Sequence, residues 1–234
     1  MHIHILETGT PPAPLDTEYS SYPAMFRHLL SPLNGRFSFT DSNVNHPLPE
    51  INGFDGLLIT GSPAGVYEGH DWIAPAEALV RASAEAGKPQ IGICFGHQLM
   101  AQAFGGRVEK VAKGWGVGVH QYQLRANRDW MTNAQTKLSC TVSHQDQVVE
   151  CPQGATNIAG SDFCPNGVLE YGQGPALSFQ QHPEFSHDYA AALMRMRRSR
   201  IAGDLIDEGL ASLNQKSDRE LMGQWIVNFF LAHR

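Results

Sequence analysis

The sequence predicts an α/β protein with a mostly parallel, doubly wound central sheet, flanked by helices and accompanied by a small antiparallel sheet. Short apolar runs typical of buried strands alternate with segments of helical periodicity, the pattern of strands joined by helical crossovers. One such run, at 90–93, leads through Cys94 directly into a helical segment. The 234 residues, 42% of them hydrophobic, are sufficient for one sizeable domain.

The first half of the chain alternates regularly between predicted strands and helices. Phe26, Leu29 and Leu30 fall on one face of the first helix, and the Pro-rich segment 7–17 is expected to be a loop. The predicted elements are strand 1–6, helix 22–30, strand 36–40, strand 55–60, helix 75–86 with Pro at its start, strand 90–93 and helix 99–104.

The second half predicts antiparallel strands within 105–124 and at 137–142, a further strand at 175–180, and mostly helix over 187–213. The last helix is expected to begin with a capping box in the segment 217–220, and its Leu221, Trp225 and Phe229 share one face. No linker or repeat divides the chain. We therefore expect a single domain over 1–234, with a C-terminal helical extension over about 187–234.

Composition and charge argue against several classes of function. A net charge of −6 and a pI near 6.0 give no reason to expect nucleic acid as a partner. No run of about 18 apolar residues and no secretory signal is present, so no membrane association is expected. The cysteines lack paired CxxC spacing, which argues against a zinc site and favours a reduced, cytoplasmic setting. They are Cys94, Cys140, Cys151 and Cys164.

Cys94 is the first candidate catalytic residue. A strand-to-helix turn exposes a nucleophile at the edge of an α/β sheet, and a helix N-terminus favours the thiolate form of a cysteine. Gly92 and Gly96 are expected to leave room for the strained turn and for a substrate. The alternative for a lone cysteine is a buried, inert thiol at the end of a strand.

His182 and Glu184 supply what a thiolate would need. They follow the strand at 175–180, two residues apart on an extended stretch, where alternate side chains point the same way. A cysteine nucleophile requires a base, and that base requires a third group to fix its tautomer. Alone, a His-Pro-Glu sequence is more often a turn with a solvated carboxylate.

The two segments together resemble the class I (triad) glutamine amidotransferases. Residues 92–98 read Gly-Ile-Cys-Phe-Gly-His-Gln and match the family signature G-x-C-x-G-x-Q, and 182–184 match its His-Pro-Glu. The resemblance covers almost the whole chain. It implies a flavodoxin-like fold, a Cys94–His182–Glu184 triad and hydrolysis of the γ-glutamyl amide of glutamine through a thioester, with no metal or organic cofactor.

Two loops carry weaker resemblances. Gly61-Ser62-Pro63 is similar to the family's oxyanion loop, which implies backbone N–H donors from Gly61 or Ser62 together with Phe95. The family usually has Gly or Asn-Gly before this proline, so Ser62 is a departure. Alone, such a loop is equally often a plain strand-to-helix turn.

The segment containing Ser143, His144 and Gln145 is similar to the family's glutamine-binding loop, and Gln98 resembles a side chain that holds the same end of the substrate. Gln145 stands where the family usually has Gly. His144 is an alternative base for the thiol, although a polar loop that only packs over the site is the commoner case.

Two charged groups have less specific interpretations. His2 and His4 alternate along the first strand, but no carboxylate accompanies them, so a metal site is not expected. Four arginines within 195–200 predict a solvated helix face or, less often, a docking surface for an acidic partner. They are Arg195, Arg197, Arg198 and Arg200.

Three functions remain open at this point. The chain is first interpreted as a glutaminase that releases glutamate and ammonia for a separate synthetase. The second interpretation is a stand-alone γ-glutamyl peptide or conjugate hydrolase, and the third a catalytically idle binding module. A complete set of Cys94, His182 and Glu184 argues against the third.

Overall fold

A nine-stranded mixed sheet is the centre of the fold. The structure is a computed structural model that describes residues 1–33, 35–133 and 135–234. Its strands are β1 (His2–Glu7), β2 (Ser38–Asn43), β3 (Gly56–Ile59), β4 (Gln90–Ile93), β5 (Arg107–Lys110), β6 (Gly116–Leu124), β7 (Lys137–His144), β8 (Asp146–Glu150), β9 (Thr156–Gly160), β10 (Val168–Tyr171) and β11 (Ala176–Phe179).

The helices connect and cover these strands. They are α1 (Leu15–Tyr19), α2 (Tyr22–Leu30), α3 (Ile73–Glu85), α4 (Phe95–Ala103), α5 (His187–Met196), α6 (Gly203–Ser212) and α7 (Arg219–Ala232). Short 3₁₀ helices occupy Ile51–Gly53 and Arg197–Ser199. None of the helices in the described ranges is both long enough and apolar enough to cross a bilayer.

The sheet has a parallel half and an antiparallel half. Its strand order is β2-β1-β3-β4-β11-β10-β9-β6-β7. The first five strands are parallel to one another, and the remaining pairs are antiparallel. Strands β5 and β8 pair separately as a small antiparallel sheet. The predicted fold class, including this small sheet, is therefore confirmed.

Apolar side chains cover both faces of the parallel half. Strands β3, β4 and β11 are buried along their whole length, as expected for parallel strands with helices on both faces. On one face, Ile3 and Phe26 share a cluster with Trp225 and Phe229 of α7. On the other, Leu57 packs in a cluster with side chains of α3 and α4.

The register of the parallel strands brings the ends of β3, β4 and β11 to the same edge of the sheet. Gly92 of β4 pairs with Ile59 of β3 on one side and with Ser178 of β11 on the other. The loops that follow these strands therefore lie next to one another at the carboxyl edge of the parallel half, where ligands bind in open α/β sheets.

Several local predictions were wrong. Helix α1 lies partly within the expected loop 7–17, α4 begins at Phe95 rather than at 99, and β8, β9 and β10 were not predicted. The capping box does not form. Asp218 is the N-cap of α7, and its carboxylate accepts a hydrogen bond from the Ser139 N–H at 2.8 Å instead of capping the helix. A contact between distant segments thus replaces the local one.

Candidate active site

Cys94 lies on a strained turn between β4 and α4. It is the N-cap of α4, with φ 52° and ψ −97°, a backbone conformation that costs a non-glycine residue about 1–3 kcal/mol. Its N–H donates to the Phe179 carbonyl oxygen at 2.8 Å, so β11 helps to fix the turn. The residue is 6% exposed and lines two cavities.

The two glycines of the turn are required by the protein's own backbone. A Cβ at position 92 would lie 2.5 Å from the Gly96 carbonyl oxygen, and one at position 96 would lie 2.5 Å from the Ile59 carbonyl oxygen. The sequence predicted that they leave room for the strained turn and for a substrate. The structure shows that Gly92 and Gly96 let α4 pack closely against β4 and β3.

His182 and Glu184 form a buried pair beside Cys94. The His182 Nδ1–H donates to Glu184 Oε1 at 2.7 Å, and the ring stacks on Phe185 with centroids 4.0 Å apart. The His182 N–H donates to the Thr141 carbonyl oxygen at 2.8 Å, which ties this segment to β7. The imidazole is therefore held on its Nδ1 side, and its Nε2 is free to face the thiol.

The electrostatics of this cluster favour a cationic His182. Burial alone would lower the pKa of His182, but the neighbouring Glu184 carboxylate and Cys94 sulfur outweigh it and raise that pKa to about 10. A histidine that is protonated beside a thiol stabilises the thiolate. The structure thus brings the three residues Cys94, His182 and Glu184 together, as the sequence predicts.

Gly61 and Gln180 complete the immediate surroundings of the sulfur. A Cβ at position 61 would lie 3.0 Å from His182 Cε1 and 3.7 Å from Cys94 Cβ, so the loop after β3 packs directly against both side chains. Gln180 Nε2 donates to Cys94 Sγ at 3.6 Å. Sequence reasoning missed Gln180, although it directly follows β11 and comes two residues before His182.

The Gly61–Ser62 loop is fixed by a residue that sequence reasoning also missed. The buried Thr8 hydroxyl donates to the Thr60 carbonyl oxygen at 2.9 Å and lies 3.1 Å from that of Gly61. Phe95, the first residue of α4, has an N–H with no acceptor within its own helix. Of the three predicted oxyanion residues, Gly61 and Phe95 adjoin Cys94, and Ser62 lines both cavities that Cys94 lines. Thr8 lies in the segment predicted as a loop, where a lone threonine gives no signal.

A polar cavity of about 180 Å³ opens on one side of Cys94. The Gln98 side-chain amide donates to the Asp146 carbonyl oxygen at 2.9 Å and to Gln180 Oε1 at 3.3 Å. The Asp146 carboxylate accepts a hydrogen bond from the Tyr67 hydroxyl at 2.9 Å, and burial raises its pKa. All four predicted binding residues line this cavity: Gln98, Ser143, His144 and Gln145. Asp146 was not among them.

His144 differs from His182 in charge and partner. Its Nδ1–H donates to the Asp146 carbonyl oxygen at 3.0 Å, and burial lowers its pKa to about 3. A neutral ring with no carboxylate partner lacks the orienting group that His182 obtains from Glu184. The geometry therefore favours His182 over His144 as the base for Cys94.

An apolar cavity of about 220 Å³ opens on the other side of Cys94. His182 lines it together with Gly61 and Ser62. Its remaining walls are mostly apolar or aromatic and include Tyr22, Phe185, Leu193 and Met196. Two cations complete it, Arg197 and Arg200, and both also line the polar cavity.

The arginine cluster is therefore divided between solvent and the site. Arg195 and Arg198 are exposed, and Arg198 forms an ion pair with Asp207. Arg197 is half-buried, and its Nη1 donates to Ser143 Oγ at 2.7 Å. The prediction of one solvated face is wrong for Arg197, because α5 ends in a 3₁₀ turn that directs this side chain towards Cys94.

Other histidines have structural partners. His2 and His4 bond to the hydroxyl groups of Ser38, Thr40 and Ser42 on the neighbouring strand. Across the described ranges, no group of three or more histidine, cysteine or acidic side chains is arranged to hold a metal ion.

Comparisons with known proteins agree with this fold. Residues 18–196 match the family model "Glutamine amidotransferase class-I", and the chain belongs to this family. It is 28% identical to a glutamine amidotransferase-like protein of Schizosaccharomyces pombe over 98% of both chains. It is also similar to two enzymes with named activities.

The first of these is a subunit of the glutamine-hydrolyzing GMP synthase of Archaeoglobus fulgidus, at 29% identity over 72% of this chain and 86% of the relative. The second is gamma-glutamyl peptidase 5 of Arabidopsis thaliana, at 27% identity over 75% of this chain and 72% of the relative. Among solved structures, a glutamine amidotransferase from Thermotoga maritima superposes with a TM-score of 0.75 and 17% identity, over 99% of this chain and 97% of the other. At 17% identity, this structural similarity supports the fold alone.

Proposed function

We propose that this protein hydrolyses the γ-glutamyl amide of glutamine through a thioester on Cys94 and releases glutamate and ammonia for a separate acceptor enzyme. The observation that carries the proposal is the position of Cys94 on the strained turn, beside a buried His182 whose Nδ1–H is held by Glu184 at 2.7 Å. Nucleophile, base and orienting carboxylate are the parts that acyl transfer requires.

In the first step, the Cys94 sulfur attacks the side-chain carbonyl carbon of glutamine. The carbonyl oxygen becomes negative and accepts hydrogen bonds from the Phe95 N–H and from Gly61 or Ser62. The proton of the thiol resides on His182, which transfers it to the amide nitrogen as the C–N bond breaks. Ammonia leaves, and the glutamyl group remains bound to sulfur as a thioester.

In the second step, water hydrolyses the thioester. His182 removes a proton from the water molecule as its oxygen attacks the thioester carbon. The C–S bond breaks, glutamate is released, and the proton taken from water stays on His182 beside the restored thiolate. Glu184 keeps the imidazole in one tautomer through both steps and stabilises its cation.

The glutamyl end of the substrate would occupy the polar cavity. Gln98, Ser143, His144 and Gln145 line it, and we assign to the Asp146 carboxylate the α-amino group of glutamine. Asp146 forms no ion pair with any residue in the described part of the chain. An incoming ammonium group would compensate its charge.

A second candidate function is hydrolysis of γ-glutamyl peptides or conjugates by the same two steps. The similarity to a gamma-glutamyl peptidase supports it, and so does the apolar cavity beside His182, where the leaving nitrogen would receive its proton. The similarity to part of a GMP synthase supports the first candidate, in which a separate synthetase accepts the ammonia.

The test is glutamate release by the purified protein from glutamine and from γ-glutamyl peptides, with and without cell extract. Cys94→Ala is expected to lower turnover by at least about 10⁴-fold, because the nucleophile is lost. Cys151→Ala, which removes an exposed thiol, is the matched control and keeps full activity.

Each outcome points to one function. Glutamine turnover that depends on extract supports the partnered glutaminase, and rapid peptide cleavage by the protein alone supports the hydrolase. Turnover that survives in Cys94→Ala contradicts the proposed mechanism. No Cys94-dependent glutamate release under any condition would leave a binding module.

A further inference from the structure

We propose that Arg197 and Arg200 form a subsite for a carboxylate on the leaving amine, so that γ-glutamyl conjugates of amino acids and short peptides are cleaved in preference to uncharged analogues. This inference rests on the proposed hydrolysis at Cys94. It concerns the side of the site that receives the leaving group, which the proposed chemistry leaves undefined.

The position of His182 identifies the leaving-group side. In the proposed mechanism His182 gives its proton to the leaving nitrogen, so that nitrogen lies next to the imidazole. His182 lines the apolar cavity, whereas Gln98 and Asp146 line the polar one. With its glutamyl end in the polar cavity, a substrate therefore extends its leaving amine into the apolar cavity. Arg197 and Arg200 line both cavities and so lie where the two meet.

The apolar cavity is larger than ammonia requires. Its volume is about 220 Å³, whereas a water molecule, which is similar in size to ammonia, takes up roughly 30 Å³ in the liquid. Tyr22, Phe185 and Leu193 are buried side chains that line it. Such walls fit the carbon atoms of an amino-acid residue better than a small polar molecule.

Arg197 is held in place at the wall of this cavity. Its Nη1 donates to Ser143 Oγ at 2.7 Å, and its guanidinium carbon lies 5.3 Å from the centroid of the Trp115 ring. A guanidinium has five N–H donors, so most of them remain for a ligand. Two contacts that fix its plane reduce the entropy lost when an anion binds.

The positive charge at this wall is not paired with a carboxylate of the described ranges, although a Cys94 thiolate would favour it. No carboxylate forms an ion pair with Arg197 or Arg200 in the described ranges, whereas the neighbouring Arg198 pairs with Asp207. Burial lowers the pKa of Arg197, which indicates that its cation is incompletely solvated. A carboxylate in the cavity would compensate this charge and can accept two parallel N–H bonds from one guanidinium.

The experiment compares two substrates that differ in a single charge. γ-Glutamylglycine carries a carboxylate on its leaving amine, and γ-glutamylglycinamide carries a neutral amide at the same position. We expect wild-type kcat/KM to favour the acid by at least about tenfold, the discrimination typical of one charged hydrogen bond.

Substitutions then locate the origin of the preference. Arg197→Met should bring the ratio of the two kcat/KM values to within about threefold of one, and Arg200→Met should lower it less, because Arg200 is exposed. Arg197→Lys should retain part of the preference. Arg195→Ala, on the exposed side of the same segment, is the control and should keep the wild-type ratio.

Binding gives a second measurement that does not depend on turnover. In Cys94→Ala, calorimetry should show at least about tenfold tighter binding of the acid than of the amide, and Arg197→Met in that background should abolish the difference. A wild-type ratio near one would overturn the inference. So would an Arg197→Met variant that slows both substrates equally, since this would indicate an effect on the thiol or on the glutamyl end that both substrates share.

The two proposals fail in different ways. If glutamine and both γ-glutamyl compounds are inert, the proposed hydrolysis is wrong, while the calorimetric ratio still decides whether the carboxylate subsite exists. If all three are hydrolysed and the acid has no advantage in rate or binding, hydrolysis at Cys94 stands and the subsite is rejected.

Discussion

The two halves of the central sheet contribute different kinds of residue to the site. In the parallel half, the ends of β3, β4 and β11 supply Gly61, Cys94 and His182, the groups assigned to the reaction. At the end of the antiparallel half, the corner between β7 and strand β8 of the small sheet supplies Ser143 and Asp146, which are assigned to recognition. The His182 N–H, which donates to a carbonyl oxygen of β7, joins the halves.

This division has a physical basis. Strands β3, β4 and β11 are buried on both faces and bonded on both edges, so groups at their ends are held rigidly. Bond-making chemistry tolerates little displacement. The β7–β8 corner and the segment after α5 are more exposed, and changes there would alter which substrate is held. We expect substitutions in the parallel half to change kcat, and those in the other half to change KM.

After loss of the nucleophile itself, the largest effect is expected at Glu184. Glu184→Gln should lower kcat by about 10³- to 10⁴-fold, because the amide can donate to His182 Nδ1 and so favour the wrong tautomer. The measurement is glutamate release at saturating substrate. KM should change by less than about threefold, since Glu184 does not line the polar cavity.

Glu220→Gln is the matched control for this prediction. Glu220 is exposed in the first turn of α7, so the same chemical change there should leave kcat unaltered. A Glu184→Gln variant that retains the wild-type kcat would remove Glu184 from the mechanism and with it the proposed division between the halves.

The parallel half was also the half that the sequence predicted well. Strand β4 and helix α2 have the predicted bounds, and the pattern around Cys94 was sufficient to locate the turn. Buried parallel strands are short apolar runs between helices, and both signals are local. The pairing of His182 with Glu184 was similarly accessible, because the two residues are neighbours in the chain.

The antiparallel half was predicted less well, because its signals are not local. Strand β9 and strand β8 of the small sheet are short and partly polar, and they pair with β6 and β5, which lie far earlier in the chain. Strand β10 pairs with its chain neighbours β9 and β11 but has only four residues. Arg197 reaches the site by bonding Ser143, 54 residues away in the chain. Thr8 likewise fixes the Gly61–Ser62 loop by a hydrogen bond to Thr60, which is 52 residues away in the chain. No periodicity or spacing in a single sequence encodes contacts of this kind.

A recognition residue of the antiparallel half should show the reverse kinetic pattern. Asp146→Asn is expected to raise KM for glutamine about 10- to 100-fold, because it removes the charge assigned to the α-amino group, while kcat stays within about threefold. Initial rates over a range of glutamine concentrations measure both. Asp71→Asn, an exposed change elsewhere, is the control.

Tyr67→Phe sharpens the same comparison. It removes the hydroxyl that donates to Asp146 at 2.9 Å but keeps the carboxylate, so the rise in KM should be smaller than for Asp146→Asn. If Asp146→Asn instead lowers kcat at unchanged KM, the corner between β7 and β8 takes part in the reaction step, and the two halves do not differ as argued.

The smallest expected effect is on the pH dependence of stability, and it tests the difference in charge between His144 and His182. Burial lowers the pKa of His144 to about 3 in the folded protein, against 6.5 for an unperturbed ring. Between these values the unfolded chain binds a proton at this position and the folded chain does not. The free energy of unfolding therefore falls as the pH falls below 6.5, by up to about 1.4 kcal/mol per pH unit for this one group.

His144→Asn should remove this contribution. Between pH 7.5 and pH 5.5, the unfolding free energy of the variant should fall by about 1 kcal/mol less than that of the wild type. Urea unfolding at both pH values measures this difference. His46→Asn, at an exposed ring, should follow the wild type. If His144→Asn and the wild type lose the same amount of unfolding free energy between these pH values, His144 is protonated in the folded state. It could then no longer be distinguished from His182 by charge, and the assignment of His182 as the base would rest on its bond to Glu184 alone.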